Sequence, residues 1–206
     1  MDKQAIYDFI KNKNIWCEIT EHKAVFNMEE LSEIEVPYPE YDAKNLFIRD
    51  DKKRKYYLIT VRGNKRVNLK EFRNKNGTRP LSFASEQDLM DIMNLIPGSV
   101  SPFGLLNDKE LKVKFYLDKD FLNDKKIIGI HPNDNTATVW LKVEDLVEII
   151  KENYITEYTL NVFVSIGKDA DKEATAVLRE IGGEKSYTDI EGNQNNYPYY
   201  IYIENR

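Results

Sequence analysis

Three strand-like stretches follow one another along the middle of the chain: LKVKFYLD from Leu111, KIIGIHP from Lys126 and TATVWLKV from Thr136. Polar turns too short for a crossover helix link them, so these strands pair in a largely antiparallel or mixed sheet. Two more strands are expected near residues 45–50 and 56–62, joined by the charged turn RDDKKRK. Helical patterns lie between and around these strands, and the combination predicts an α+β fold.

The helices carry their own stop and start signals. Residues 2–13 place Ala5, Ile6, Phe9 and Ile10 on one helical face. IWCEITEH reads as a strand, and NMEELSEI as a short helix that Asn27 can cap. NLKEFRNKNG is a helix ending at Gly77, and SFASEQDLMDIMNLIPG is a helix with Ser85 as its cap. Leu89, Ile92 and Met93 form the buried stripe of the latter, with Pro97 and Gly98 as its stop. VEDLVEIIKEN is an amphipathic helix. Beyond about residue 155 the pattern changes: TLNVFVSIG reads as a strand, DADKEATAVLREIGG as a helix and YPYYIYIEN as a tyrosine-rich strand. This predicts a small β-α-β extension over 156–206, following a main domain over 1–155.

A chain of 206 residues can bury one substantial core. Its apolar runs are too short to span a membrane and its N-terminus does not read as a signal peptide. Cys17 is the single cysteine, so an internal disulfide is excluded and a reducing cytoplasm is the expected location. The net charge is −5, but its distribution is uneven. Between Lys44 and Arg79 there are 13 Lys/Arg against 3 Asp/Glu, a basic segment in an otherwise acidic chain. Such a segment suits a phosphate backbone, and it equally suits a solvated sheet edge.

Several chemistries can be set aside. The only histidines are His22 and His131, and with Cys17 they match no zinc ligand spacing. There is no phosphate-cradling GxxxxGK[ST] and no GxGxxG, and no serine sits in a nucleophile elbow. Cys17 and His22 lie on opposite faces of a strand, so Cys17 reads as a packing residue. Metal and cofactor are both expected to be absent. Three features remain. Lys44 and Asn45 stand at the start of a strand, PGSVSPFG is a Gly/Pro-shaped loop after a helix, and His131 ends a strand before an Asn/Asp-rich turn. Backbone N–H groups, one cation and one imidazole are the parts of an oxyanion site. Each feature taken singly also reads as edge lysine, connecting loop or hairpin turn.

Four blocks, AKNLFIRD, LSFASEQDLM, PGSVSPFGLLND and HPNDNTATVWL, resemble the freestanding bacterial prolyl-tRNA editing proteins, the ProX/PrdX branch of the YbaK-type aminoacyl-tRNA deacylases. They occur in the family's order and span about residues 20–150. The resemblance implies a compact α+β domain around a mixed, barrel-like sheet. It implies hydrolysis of the ester between a mischarged amino acid and the tRNA 3′ end, with alanyl-tRNA(Pro) as the expected substrate and cysteinyl-tRNA(Pro) or non-catalytic charged-tRNA binding as alternatives. Carried over by motif, the catalytic set is Lys44, Gly98 and His131. Asn45, Ser101, Pro102 and Thr136 would contact substrate. Ser101 stands where relatives often carry threonine. The acceptor end of tRNA(Pro) is the implied partner, with prolyl-tRNA synthetase as a second. Lys52, Lys53, Arg54, Lys55, Arg62, Lys65 and Arg66 are the cations that charge alone offers to the acceptor stem.

Overall fold

A computed structural model describes residues 1–25, 34–123, 125–154, 158–162 and 200–205. Helix α1 (Lys3–Asn12) starts at Asp2, whose carboxylate accepts from the Ala5 amide, and it buries Ile6 and Ile10 as its periodicity requires. Strand β1 (Cys17–Glu21) follows. The expected helix over NMEELSEI lies outside the described residues. The hairpin of β2 (Ala43–Asp50) and β3 (Tyr56–Arg62) leads to α2 (Leu69–Asn76), which Asn68 caps and Gly77 ends at φ 57°.

The short β4 (Leu81–Phe83) precedes α3 (Glu86–Met93), where Ser85 and Asp88 form a reciprocal capping box. This helix ends earlier than Pro97 and Gly98 predict. Asn94 adopts the left-handed conformation at φ 51° and closes it, because asparagine tolerates that region better than most residues. Leu89 and Met93 are buried and Ile92 is partly so. Strands β5 (Val113–Asp118), β6 (Ile127–Ile130) and β7 (Ala137–Lys142) then lead into α4 (Val143–Tyr154). Strands β8 (Tyr158–Val162) and β9 (Tyr200–Asn205) are the described parts of the C-terminal segment. The helix expected between them falls outside the described residues.

The strands form two sheets, ordered β1-β7-β6 and β4-β2-β3-β5-β9-β8. Every pairing is antiparallel except β3 with β5, so the larger sheet is mixed, and the architecture is the α+β fold expected. Among the described residues the sheets do not close into a barrel, and a parallel bridge, Asp42 to Gly129, joins them. The main core lies between the sheets and α1, α3 and α4: Phe47, Leu58, Phe115, Ile128, Ile130 and Val139 meet Ile6, Met93 and Leu146 there. On the other face of the larger sheet, Ile48, Tyr57, Ile59, Val61 and Tyr116 pack under Phe72 of α2. Tyr41, Ile127 and Trp140 make a third, smaller cluster.

Candidate functional site

A bridge between the sheets lies near the candidate residues. Asp42 pairs with Gly129 in parallel. Lys44 and His131 each stand two residues beyond this isolated bridge, one on either segment. Gly129 has no room for a side chain, since a Cβ would lie 2.6 and 2.7 Å from two carbons of the Trp140 ring. Glycine at this position is therefore a steric condition for the Trp140 ring to pack over β6.

Lys44 and Asn45, neighbours in sequence, face opposite ways. Leu46 and Ile48 join the cluster under α2, whereas Ala43 and Phe47 join the main core. Lys44 thus shares the α2 side and Asn45 the core side. The Lys44 ammonium donates to the carbonyl of Gly63 at 3.5 Å and to that of Lys65. Partial burial lowers its pKa, and the nearby Arg66 charge adds to the shift. Asn45 donates through Nδ2 to the Val100 carbonyl at 3.0 Å and accepts from the fully buried Thr60 hydroxyl at 2.6 Å. That pair of bonds ties the 97–101 loop to β2, one residue past Lys44.

The loop itself is built by a turn. The Ser99 amide donates to the Ile96 carbonyl at 3.1 Å, with Pro97 second and Gly98 third at φ 89°. Proline followed by a residue at positive φ is the arrangement of a type II turn, and a Cβ at Gly98 would be strained. Ser101 is fully buried, and its hydroxyl accepts from the Phe103 amide at 3.2 Å. Pro102 opens the 3-10 turn Pro102–Asn107. Ser101 and Pro102 shape the loop from within.

His131 ends β6. Its Nδ1 lies 2.9 Å from the Ala137 carbonyl oxygen. A carbonyl only accepts, so in the neutral ring the proton is assigned to Nδ1 and Nε2 keeps its lone pair. Burial pushes the His131 pKa down, opposed by that hydrogen bond and reinforced by His22, whose ring centroid is 6.2 Å away. His22 in turn meets the buried Thr138 through Nε2 at 3.2 Å. Thr136 accepts from the Lys3 ammonium at 2.8 Å, bonds to Asp134 through both its amide and its hydroxyl, and its carbonyl accepts from the His22 amide at 2.9 Å.

The basic segment divides in two. Lys52, Lys53, Arg54 and Lys55 are exposed on the β2–β3 turn, which the Asp50 carboxylate organises by accepting from the amides of Lys52 and Arg54. Six residues of strand separate Asp50 from Lys44, about 20 Å of rise. Arg62, Lys65 and Arg66 lie at the Lys44 end. Arg62 covers the Tyr41 ring at 4.8 Å and donates to the Asp120 carbonyl at 2.5 Å. Lys65 pairs with Asp118 at 2.6 Å and Asp120 at 2.5 Å. Arg66 is exposed, and its guanidinium meets no hydrogen-bond or ion-pair partner among the described residues.

Sequence reasoning missed Asp42. It is 6% exposed, its Oδ1 has no hydrogen-bond partner among the described residues, and burial with Glu40 nearby raises its pKa to about 7. No local pattern marks it, because its burial comes from the bridge to Gly129, far away in the chain. Among the described residues no three His, Cys, Asp or Glu side chains gather to hold a metal ion, and no helix is long and apolar enough to cross a membrane.

Comparison with known proteins adds independent information. The chain is 40% identical over 151 residues to the prolyl-tRNA editing protein ProX of Acetoanaerobium sticklandii, covering 73% of this chain and 92% of that one. It is 33% identical to the bovine prolyl-tRNA synthetase associated domain-containing protein 1, covering 66% and 81%. In fold it is similar to a solved structure proposed as a trans-editing enzyme for prolyl-tRNA synthetase, with TM-score 0.54 and 19% identity over 70% of this chain and 88% of that one. The family model of the aminoacyl-tRNA editing domain matches residues 22–149, a span that holds Lys44, the 97–101 loop and His131, and the chain belongs to that family.

Proposed function

We propose that this chain is a trans-acting hydrolase of mischarged tRNA(Pro), with alanyl-tRNA(Pro) as its preferred substrate. Membership of the editing family makes it an aminoacyl-tRNA deacylase. The observation supporting the site is the tie between the Gly98 loop and the strand that carries Lys44, where Asn45 donates to the Val100 carbonyl at 3.0 Å.

Editing answers a selectivity problem. A pocket shaped for proline discriminates weakly against the smaller alanine, by about 1–3 kcal/mol per missing methylene. A second, smaller site then hydrolyses what fits. In the proposed mechanism Lys44 and Arg66 engage the phosphate or ribose of the terminal adenosine and orient the ester. Water attacks the ester carbonyl, the carbonyl oxygen takes up negative charge, and backbone amides around Gly98 receive it. One such donor typically contributes about 10²–10³ in rate. The tetrahedral intermediate collapses by expelling the ribose hydroxyl, releasing free amino acid and intact tRNA. His131 stays neutral near pH 7 because burial disfavours its cation. Its Nε2 accepts from the amino acid or the attacking water.

Asn45 holds the loop in this scheme, and Ser101 and Pro102 keep its shape. Deacylation of tRNA(Pro) charged in turn with Ala, Cys, Ser and Pro tests the reading. The expected order puts alanine first and leaves proline intact. Faster release of cysteine assigns the enzyme to the other substrate, and binding without hydrolysis of any ester overturns the enzymatic reading. The same assay with prolyl-tRNA synthetase added reports whether that enzyme is a partner.

A further inference from the structure

The turn that holds Lys44 is itself held by charge. Gly63 and Lys65, whose carbonyls receive the Lys44 ammonium, follow directly after β3. The Gly63 amide donates back to the Asp42 carbonyl at 2.8 Å and the Lys65 amide to Arg62 at 2.9 Å. The Lys65 side chain then reaches out of the turn to two carboxylates. Asp118, fully buried at the end of β5, lies 2.6 Å away, and Asp120, in the short 3-10 turn that follows, 2.5 Å. Asp118 also accepts from the Asp120 amide at 3.1 Å, so both carboxylates belong to one rigid corner.

A buried carboxylate requires a partner, and breaking such a pair is costly because it strands the remaining charge. Lys65 is therefore committed to this corner and is not available to a phosphate. Its carbonyl, fixed by the same commitment, faces the Lys44 ammonium. We propose that Lys65, anchored on Asp118 and Asp120, is a positioning residue that sets where the Lys44 ammonium sits. The inference rests on the reading of Lys44 as a site residue only for its catalytic consequence. The structural half stands by itself.

The test compares wild type, Lys65→Met and Lys65→Arg in two measurements. The first is the rate at which an amine-acylating reagent modifies Lys44, read by mass spectrometry against exposed Lys142 as internal reference. Release of a cradled ammonium speeds its modification, and a change of about threefold or more is expected in Lys65→Met, in line with the loss of charged hydrogen bonds. Lys65→Arg, which keeps the ion pairs, stays near wild type. The second is deacylation of alanyl-tRNA(Pro), where Lys65→Met lowers kcat about tenfold or more while KM changes little, since misplacing a catalytic group costs rate. An unchanged Lys44 labelling rate in Lys65→Met overturns the proposal. So does Lys44 labelling that rises only in step with Lys142, the sign of general unfolding. Faster Lys44 labelling with unaltered kcat upholds the positioning and overturns only its catalytic consequence. If wild type hydrolyses no charged tRNA(Pro), the functional reading fails, and the labelling result still decides whether Lys65 positions Lys44.

Discussion

Asp42 and Gly129 sit side by side in a parallel bridge that joins the two sheets, and Trp140 covers the glycine so closely that no Cβ fits. Lys44 and His131 each stand two residues beyond this contact. Gly129→Ala is expected to push the indole aside, destabilise the protein by about 1–3 kcal/mol as overpacking does, and lower deacylation by shifting the strand that leads to His131. Thermal melts and kcat on alanyl-tRNA(Pro) check it. A variant as stable and active as wild type contradicts the steric reading.

Asn45 joins the Gly98 loop to β2. Asn45→Ala leaves the buried Thr60 hydroxyl without its acceptor and the Val100 carbonyl without its donor. A loss of about 1–3 kcal/mol in denaturant unfolding is expected from the stranded polar groups. Faster amide hydrogen exchange at residues 98–101 and a drop in kcat should accompany it. Exchange confined elsewhere would remove Asn45 as the loop's tether.

The two basic groups should behave differently. Arg66 is exposed beside Lys44, so Arg66→Ala is expected to weaken tRNA binding and reduce the salt slope by about one. Arg62→Ala removes a cation packed on Tyr41 and hydrogen-bonded to Asp120, so its effect should appear in stability. Substituting Lys53 on the distant turn alters binding only if the acceptor stem runs the length of the hairpin. Binding isotherms at several salt concentrations separate these cases.

Asp42 gives a pH dependence with a definite sign. Its folded pKa is raised to about 7, above the ordinary carboxylate value of 3.8, so the folded state holds the proton more tightly across that interval. The Asp42 contribution to stability is fully present below the unfolded pKa and is lost as pH rises toward 7. Asp42→Asn stays neutral throughout. Its melting temperature should match wild type near about pH 4 and exceed it increasingly toward about pH 8. A difference that does not grow with pH sinks this account.

Much of the architecture is legible in the chain. Alternation located the central strands, and Ser85, Gly77 and the 2–13 periodicity placed helix boundaries because capping and amphipathicity are local effects. The motif blocks singled out Lys44, the Gly98 loop and His131. The early end of α3 was not legible, since Asn94 and the Pro97–Gly98 pair are both adequate stops and packing chose the first.

The sequence by itself determined the family and the strands beside which Lys44, Asn45 and His131 stand. Only the tertiary structure decided that Lys44 and Asn45 serve opposite faces, that Arg62 and Lys65 are held internally while Arg66 is not, and that Asp42 loses water. The reason is physical. The parallel register of β3 with β5 brings the turn after Arg62 to the corner at Asp118, and the bridge at Gly129 brings β2 to β6. Both contacts join segments more than fifty residues apart, and charge or spacing along a single segment carries no record of a partner that distant.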